Sequence, residues 1–288
     1  HHARLEFSTR LWNIGAVAYS FIGSRGDARL FSQFYAAEPT DEPILKPLNH
    51  FFSEVWHKKY QDCGPLPTSL YDAYDQLWDQ ALSRACLRWQ ALGEQRAFCG
   101  LAGQFPEPRA WLQKNSGQSQ LPDLHYCVVH GDLHADNLFV DDDGHAWVID
   151  FERTGECHRL IDFIELEQDI VTRLARFADD EFSIFYELII ALTKPTKPQD
   201  ELQPTDAIKA HAEANKAFEV IRGLRKLAAA LCDYQDYREY YWGVLLDTFF
   251  VSSKLEAGRP SCHCDRTLLL ASILCQRLED WEADVWPP

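Results

Sequence analysis

From residue 41 onward the apolar positions of this chain recur mostly three and four apart, the period of helices packed on one side. Ile44, Leu48, Phe51, Phe52 and Val55 form the first stripe, with Pro43 near its start. Leu70, Tyr74, Leu77, Trp78, Ala81, Leu82, Ala85 and Leu87 predict a second and longer helix, reaching residue 92. Gly64-Pro65-Leu66-Pro67 separates the two, and Thr68 or Ser69 offers the second an N-cap. Residues 106–113 predict a short helix and residues 114–122 a polar linker. A strong amphipathic helix follows over residues 159–177. Leu160, Phe163, Ile164, Ile170, Val171, Leu174 and Phe177 share one face, with Asp162, Glu165 and Asp169 off it. Helix continues over 182–192, and a loop with three prolines at 194–204 precedes helical patterns at 207–231, 234–255 and 266–281. No fixed-period repeat is evident, so the pattern does not call for a solenoid.

Strand patterns are few. Residues 14–23 form a short apolar run with glycines near its ends, the mark of a buried strand, and Ser24-Arg25-Gly26-Asp27 is turn chemistry. The first ten residues carry little signal. The remaining strands cluster. Cys127-Val128-Val129 and Leu138-Phe139-Val140 flank a polar loop, and Trp147-Val148-Ile149 ends in Asp150. Asp141-Asp142-Asp143-Gly144 predicts a hairpin turn, with Gly where positive φ is needed. Its acids lack the alternating ligands and late Glu of an EF-hand, so a solvated turn is expected there. The whole pattern predicts an α+β fold, a mostly helical lobe with a small β-cluster carrying the loop over residues 130–137.

Composition narrows the function classes. A chain of 288 residues, 46% hydrophobic with nine Trp and seventeen Phe, is that of a packed globular protein of one large domain or two. No apolar run approaches the roughly 18 residues of a membrane span. The N-terminus lacks a basic-then-apolar leader, so the expected compartment is the cytoplasm. A net charge of −16 argues against a nucleic-acid partner, whose phosphates most of the surface would repel. It leaves room for ATP, whose charge is met locally by metal ions and a few cations, and an acidic pocket would favour a cationic second substrate. Nine scattered cysteines predict reduced thiols instead of a disulfide framework. Cys262-His263-Cys264 lacks the second ligand pair of a zinc site. With no Met and a His1-His2 start, the chain reads as part of a longer sequence.

The residues that can do chemistry sit in and just after the polar loop. Asp132 and Asn137 are five residues apart, and Asp150 lies eighteen beyond Asp132. Phosphoryl transfer needs a carboxylate to position the attacking hydroxyl, Mg²⁺ across the phosphates and cationic help for the triphosphate. Asp132 has the position of the carboxylate that accepts the hydroxyl's proton. Asn137 offers a neutral oxygen and Asp150 an anionic one, both hard ligands suited to Mg²⁺. The protein-kinase catalytic loop spaces its base and metal-binding Asn identically. Zinc on His130, Asp132 and His134 is the weaker reading, because no clear fourth ligand accompanies them.

His130-Gly131-Asp132-Leu133-His134-x-x-Asn137, followed by Ile149-Asp150-Phe151-Glu152, resembles the aminoglycoside phosphotransferase and choline kinase family, which has a protein-kinase-like fold. The resemblance covers residues 130–162. It implies Asp132 as catalytic base, Asn137 and Asp150 as Mg²⁺ ligands, His130 as a structural holder of the loop, and Asp162 as its hydrogen-bonding brace. ATP and Mg²⁺ are the implied cofactors. Residues 149–155, His158 and residues 162–167, with 220–225 and 236–241, are also similar to a bacterial kinase-like branch, the ternary-complex-associated domains. That resemblance implies work within multi-component signalling or defence systems.

A kinase also needs a Gly-rich cover over the phosphates and a strand Lys. Too few residues precede the first predicted strand to build that lobe. Gly23-Ser24-Arg25-Gly26 is followed by no further glycine pattern, and solvated helix faces explain Lys46, Lys58 and Lys59. The expectation is a protein-kinase-like large lobe with the N-terminal lobe largely absent. Residues 1–40 would be a hinge-like strand and remnant of the small lobe, and residues 41–288 the helical lobe. One function reading is an ATP/Mg-dependent phosphotransferase acting on a small-molecule hydroxyl, with a cationic acceptor favoured by charge. The alternative is a pseudokinase-type module that holds a protein partner. No residue stands out as a nucleotide contact.

Overall fold

A computed structural model describes residues 5–11, 14–19, 28–88, 94–98, 100–254, 262–283 and 286–287. Its architecture is α+β and mostly helical, as the periodicity predicts. Strand β1 (Leu5–Leu11) pairs antiparallel with β2 (Ile14–Tyr19). The weakly patterned N-terminus therefore holds a strand, since ladder pairing is made by backbone groups that every residue carries. The turn expected at 24–27 lies outside the described residues. Short β3 (Arg29–Leu30) leads directly into α1 (Phe31–Ala37). Helix α2 (Asp41–His50) carries Asp41 and Glu42 at its positive end and passes into a π-turn over Phe51–Val55. Then come α3 (His57–Gln61) and β4 (Gly64–Pro65).

The single long helix expected to reach residue 92 is broken into α4 (Leu70–Leu77) and α5 (Ala81–Arg88). Ser69 caps α4, accepting from the Asp72 amide at 3.1 Å. Asp75 accepts from the Ser83 amide at 3.0 Å, and Asp79 and Gln80 turn the chain at φ of 51° and 61°. This local side-chain cap competes with continued helix, and apolar periodicity does not register it. Strands β5 (Gln95–Arg96) and β6 (Phe105–Pro106) form a small ribbon. Helix α6 (Pro108–Asn115) opens on Pro108, with Glu107 accepting from the Arg109 and Ala110 amides.

The β-cluster is two sheets and not one. Strand β7 (His125–Val129) lies between β4 and β10 (Gly155–His158), while β8 (Leu138–Val140) lies between β3 and β9 (Ala146–Val148). Residues 130–137 cross from one sheet to the other, which sets their backbone outside any ladder. Helix α7 (Ile161–Asp169) follows β10 and ends in a π-turn over Ile170–Leu174. The remaining helices are α8 (Phe182–Thr193), α9 (Asp206–Ala210), α10 (Ala212–Cys232), α11 (Tyr237–Lys254) and α12 (Cys262–Glu279). Thr205 and His211 cap α9 and α10 through their side chains.

Every residue of α7 is buried, including the acids that the periodicity set off its apolar face. Glu167 is one of them. Its carboxylate takes Arg225 Nε at 2.8 Å, Arg225 Nη2 at 2.5 Å and the Tyr240 hydroxyl at 2.7 Å. Arg225 also donates to the Leu192 carbonyl at 2.6 Å and lies 5.1–5.5 Å from the rings of Tyr237, Tyr240 and Tyr241. One ion pair thus ties α7, α8, α10 and α11 together. Among the described residues no helix is long and apolar enough to cross a membrane. The six cysteines whose side chains are described are all unbridged.

Removing one partner of a buried pair leaves the other charge uncompensated. Glu167→Gln is expected to lower unfolding stability by about 3–5 kcal/mol, read from the urea midpoint.

Candidate active site

Alternation governs the loop between the sheets. Gly131, Leu133, Ala135 and Asn137 are buried, whereas Asp132, His134 and Asp136 are half-exposed. On the buried side, helix α7 presents Asp162, Glu165 and Asp169, spaced i, i+3, i+7 on one face. Asp162 Oδ2 and Oδ1 accept from the His130 and Gly131 amides at 3.0 and 2.9 Å. Glu165 accepts from the Leu133 amide at 2.6 Å, and Asp169 from the Ala135 amide at 2.9 Å. Tyr60 donates to Asp162 Oδ2 as well, at 2.8 Å. Three carboxylates of one helix thereby receive the loop's inward N–H groups.

Gly131 is required at its position. Its φ is +77°, and a Cβ there would meet the Arg153 carbonyl oxygen at 2.7 Å. His130 is fully buried, and its Nε2 faces the Ile149 carbonyl at 2.8 Å. That contact requires the proton on Nε2, since a carbonyl only accepts. Trp56 and Phe151 pack edge-on to the ring.

Arg153 and Asn137 both bond to Asp132. Arg153 Nη1 donates to Asp132 Oδ1 at 2.7 Å, and the guanidinium lies 5.7 Å from the Phe250 ring. Asn137 Nδ2 donates to the Asp132 carbonyl at 2.8 Å, which turns Asn137 Oδ1 away from that contact. The Ile149 amide donates to the Asn137 carbonyl at 3.1 Å, which extends the β8–β9 pairing to the residue before Asp150. Asp150 is exposed, makes no hydrogen bond to a described residue, and sits at φ +63°. A left-handed non-glycine residue is uncommon and concentrates at functional positions.

A cavity of about 270 Å³ opens beside Asp132, lined also by Asp136, Glu165, Asp169, Asp247 and Arg173. Arg173 grips Asp169 through two nitrogens at 2.5 and 2.6 Å and reaches Asp136 at 3.1 Å. Burial alone would raise the Asp136 carboxyl, but the Ser32 hydroxyl and Arg173 outweigh it and hold the group below the usual range. Glu165 goes the other way: burial, with Asp247 and Asp162 nearby, pushes its carboxyl well above the usual range. Asp141, Asp143 and His145 gather on the β8–β9 turn. Asp141 is buried and not solvated as the sequence reading had it. It accepts from the Asp143 and His145 amides at 3.1 and 2.8 Å and from Trp147 Nε1 at 2.9 Å, so it acts as the lock of the turn. The side chains of Cys262 and His263 lie outside the described residues.

Sequence reasoning marked Asp132, Asn137, Asp150, His130 and Asp162 but not Glu165, Asp169, Arg153 or Arg173. A signal for the first two existed: the i, i+3, i+7 acids of α7 run alongside alternate positions of the preceding loop.

Two outcomes are expected. Asp162→Ala leaves three buried donors unpaired, at about 1–3 kcal/mol each, and should lower the urea midpoint accordingly. Glu165 contributes stability that is complete below the unfolded carboxyl's pKa of about 4.3 and is lost as pH rises towards the elevated folded value. Glu165→Gln keeps an acceptor for Leu133 and should flatten the decline in Tm as pH rises above that unfolded value. An unchanged pH profile would contradict this.

Residues 80–248, more than half of the chain, match the family described as ternary complex associated domain 9. No curated protein matches the sequence. Among solved structures, a glucosamine kinase in complex with glucosamine, ADP and inorganic phosphate aligns at a TM-score of 0.49 and 14% identity, over 94% of this chain and 66% of that one. A glucosamine kinase in crystal form B gives 0.44 and 12%, over 93% and 62%. The chain thus spans less than two thirds of the length of these kinases. The braced loop and all of α7 fall inside the matched residues, and the chain belongs to the ternary complex associated domain 9 family.

Proposed function

We propose that the protein is a kinase-like phosphotransferase that moves the γ-phosphoryl group of ATP to a hydroxyl of a small, amine-bearing acceptor. The observation that supports this reading is the braced loop, which holds Asp132 at an acidic cavity with Asn137 fastened to its backbone. In this reading Asp132 Oδ2 takes the acceptor's proton as the oxygen–phosphorus bond forms and the bond to ADP breaks. Oδ1 stays paired with Arg153, which keeps the carboxylate oriented. In this reading Asn137 Oδ1 and the exposed Asp150 carboxylate are the hard oxygens that would hold Mg²⁺. When bound there, Mg²⁺ supplies charge neutralisation across the phosphates. Asp162 and His130 act on the loop and not on the reactants. Five carboxyl groups line the cavity against one guanidinium, Arg173, which favours a cationic acceptor.

The second reading, a pseudokinase-type interaction module, draws support from the Arg153–Asp132 pair, which occupies one oxygen of the base. The two readings separate in one experiment. Full-length protein is incubated with Mg·ATP and a panel of amino alcohols and amino sugars, and phosphate transfer is compared with Asp132→Ala. The enzyme reading expects transfer, reduced in the variant by about 10²–10⁴-fold. Equal transfer by both proteins, or none by either together with no thermal shift from Mg·ATP, would replace it with the module.

A further inference from the structure

A second cavity, of about 440 Å³, lies at the opposite end of β7 from the loop. His125, the first residue of β7, lines it, while Val129 at the other end leads into His130. The two places are therefore separated by the length of the strand, roughly 15 Å at about 3.3 Å per residue.

The inner wall of this cavity carries Arg159, which is 8% exposed. Its Nε has no hydrogen-bond partner, and its guanidinium donates to no described residue. The nearest carboxylate oxygen, Glu239 Oε1, is 3.8 Å away, beyond hydrogen-bonding reach. That same oxygen is already engaged by His158 Nε2 at 2.9 Å. Glu239 thus offsets the charge as an ion pair without taking a hydrogen, and the planar fork of five donors, suited to a carboxylate, keeps its hydrogen-bonding capacity.

The outer wall has the opposite sign. Arg238 and Asp236 offset each other, with Nη2 and Oδ2 at 3.3 Å. Asp123 and Asp233 remain, both exposed, with carboxylates that pair with no described residue. A simple anion approaching Arg159 would pass these acids, and a simple cation drawn to them would meet Arg159 behind. A molecule carrying both charges satisfies both walls.

We propose that this cavity binds a small zwitterion of the amino-acid type, its carboxylate paired with Arg159 and its ammonium with Asp123 and Asp233. The site stands apart from the proposed phosphotransferase chemistry and does not depend on it.

Isothermal titration calorimetry of the protein with glycine, β-alanine, γ-aminobutyrate and ε-aminocaproate varies the charge separation. Butyrate, butylamine and inorganic phosphate serve as single-charge controls. At least one zwitterion is expected to bind saturably, with butyrate and butylamine weaker than γ-aminobutyrate by about tenfold or more. Arg159→Gln should abolish that binding. Asp233→Asn, which removes the charge and keeps a residue that the left-handed C-cap of α10 accepts, should weaken it several-fold. Failure of every zwitterion to bind, phosphate or butyrate binding as tightly as the best zwitterion, or binding unchanged by Asp233→Asn would each overturn the assignment. Where Arg159→Gln does not fold, the control ligands and Asp233→Asn decide the outcome.

Discussion

The hydrogen bonds from the loop's backbone to the α7 carboxylates are the constraint on which the rest of this structure depends. Residues 130–137 cross between two sheets and so have no ladder to satisfy their inward N–H groups. Buried amides must find acceptors. Asp162, Glu165 and Asp169 supply them along one helix face, and each carboxylate in turn is stabilised by the donors it receives. With the odd-numbered positions drawn inward, the side chains of Asp132, His134 and Asp136 are left facing out. The presentation of Asp132 is thus a consequence of how α7 is buried, and α7 is in turn pinned by the Glu167–Arg225 pair, whose acid lies between Glu165 and Asp169 in sequence.

That solution concentrates negative charge. Glu165 and Asp169, two of the acids that hold the loop, line the adjacent cavity with Asp132, Asp136 and Asp247. The protein distributes the cost in three ways. Arg173 bridges Asp169 and Asp136, Arg153 takes one oxygen of Asp132, and Glu165 is driven towards its neutral form. What remains is an acidic pocket beside a positioned carboxylate, the feature on which the proposed amine-bearing acceptor rests. The cavity at the far end of β7 differs in kind, since it sets the buried Arg159 beside the exposed Asp123 and Asp233.

Several departures from the periodicity share one origin. The expected helix reaching residue 92 breaks where Asp75 caps a new helix start at Ser83. Asp141, read as solvated, is buried because its two oxygens take the amides and indole of its own turn. The acids of α7, read as the polar face of an amphipathic helix, point at backbone instead of water. In each case a short acidic side chain finds a backbone donor, and hydropathy alone cannot distinguish such a partner from solvent.

The sequence by itself determined the α+β class, the order of most helices and the nearness of His130, Asp132, Asn137 and Asp162. Those features are local, set by helical period, strand alternation and spacing within one loop and its neighbours. Only the tertiary structure decided that Glu165 and Asp169 join Asp162, that Arg153 reaches Asp132 across the loop, and that Arg159 Nε has no hydrogen-bond acceptor in a cavity with exposed acids. These are relations between segments 20 to more than 70 residues apart, brought together by packing. An acid or an arginine on a helix reads the same from its neighbours in sequence whether it faces water, an amide or an opposite charge.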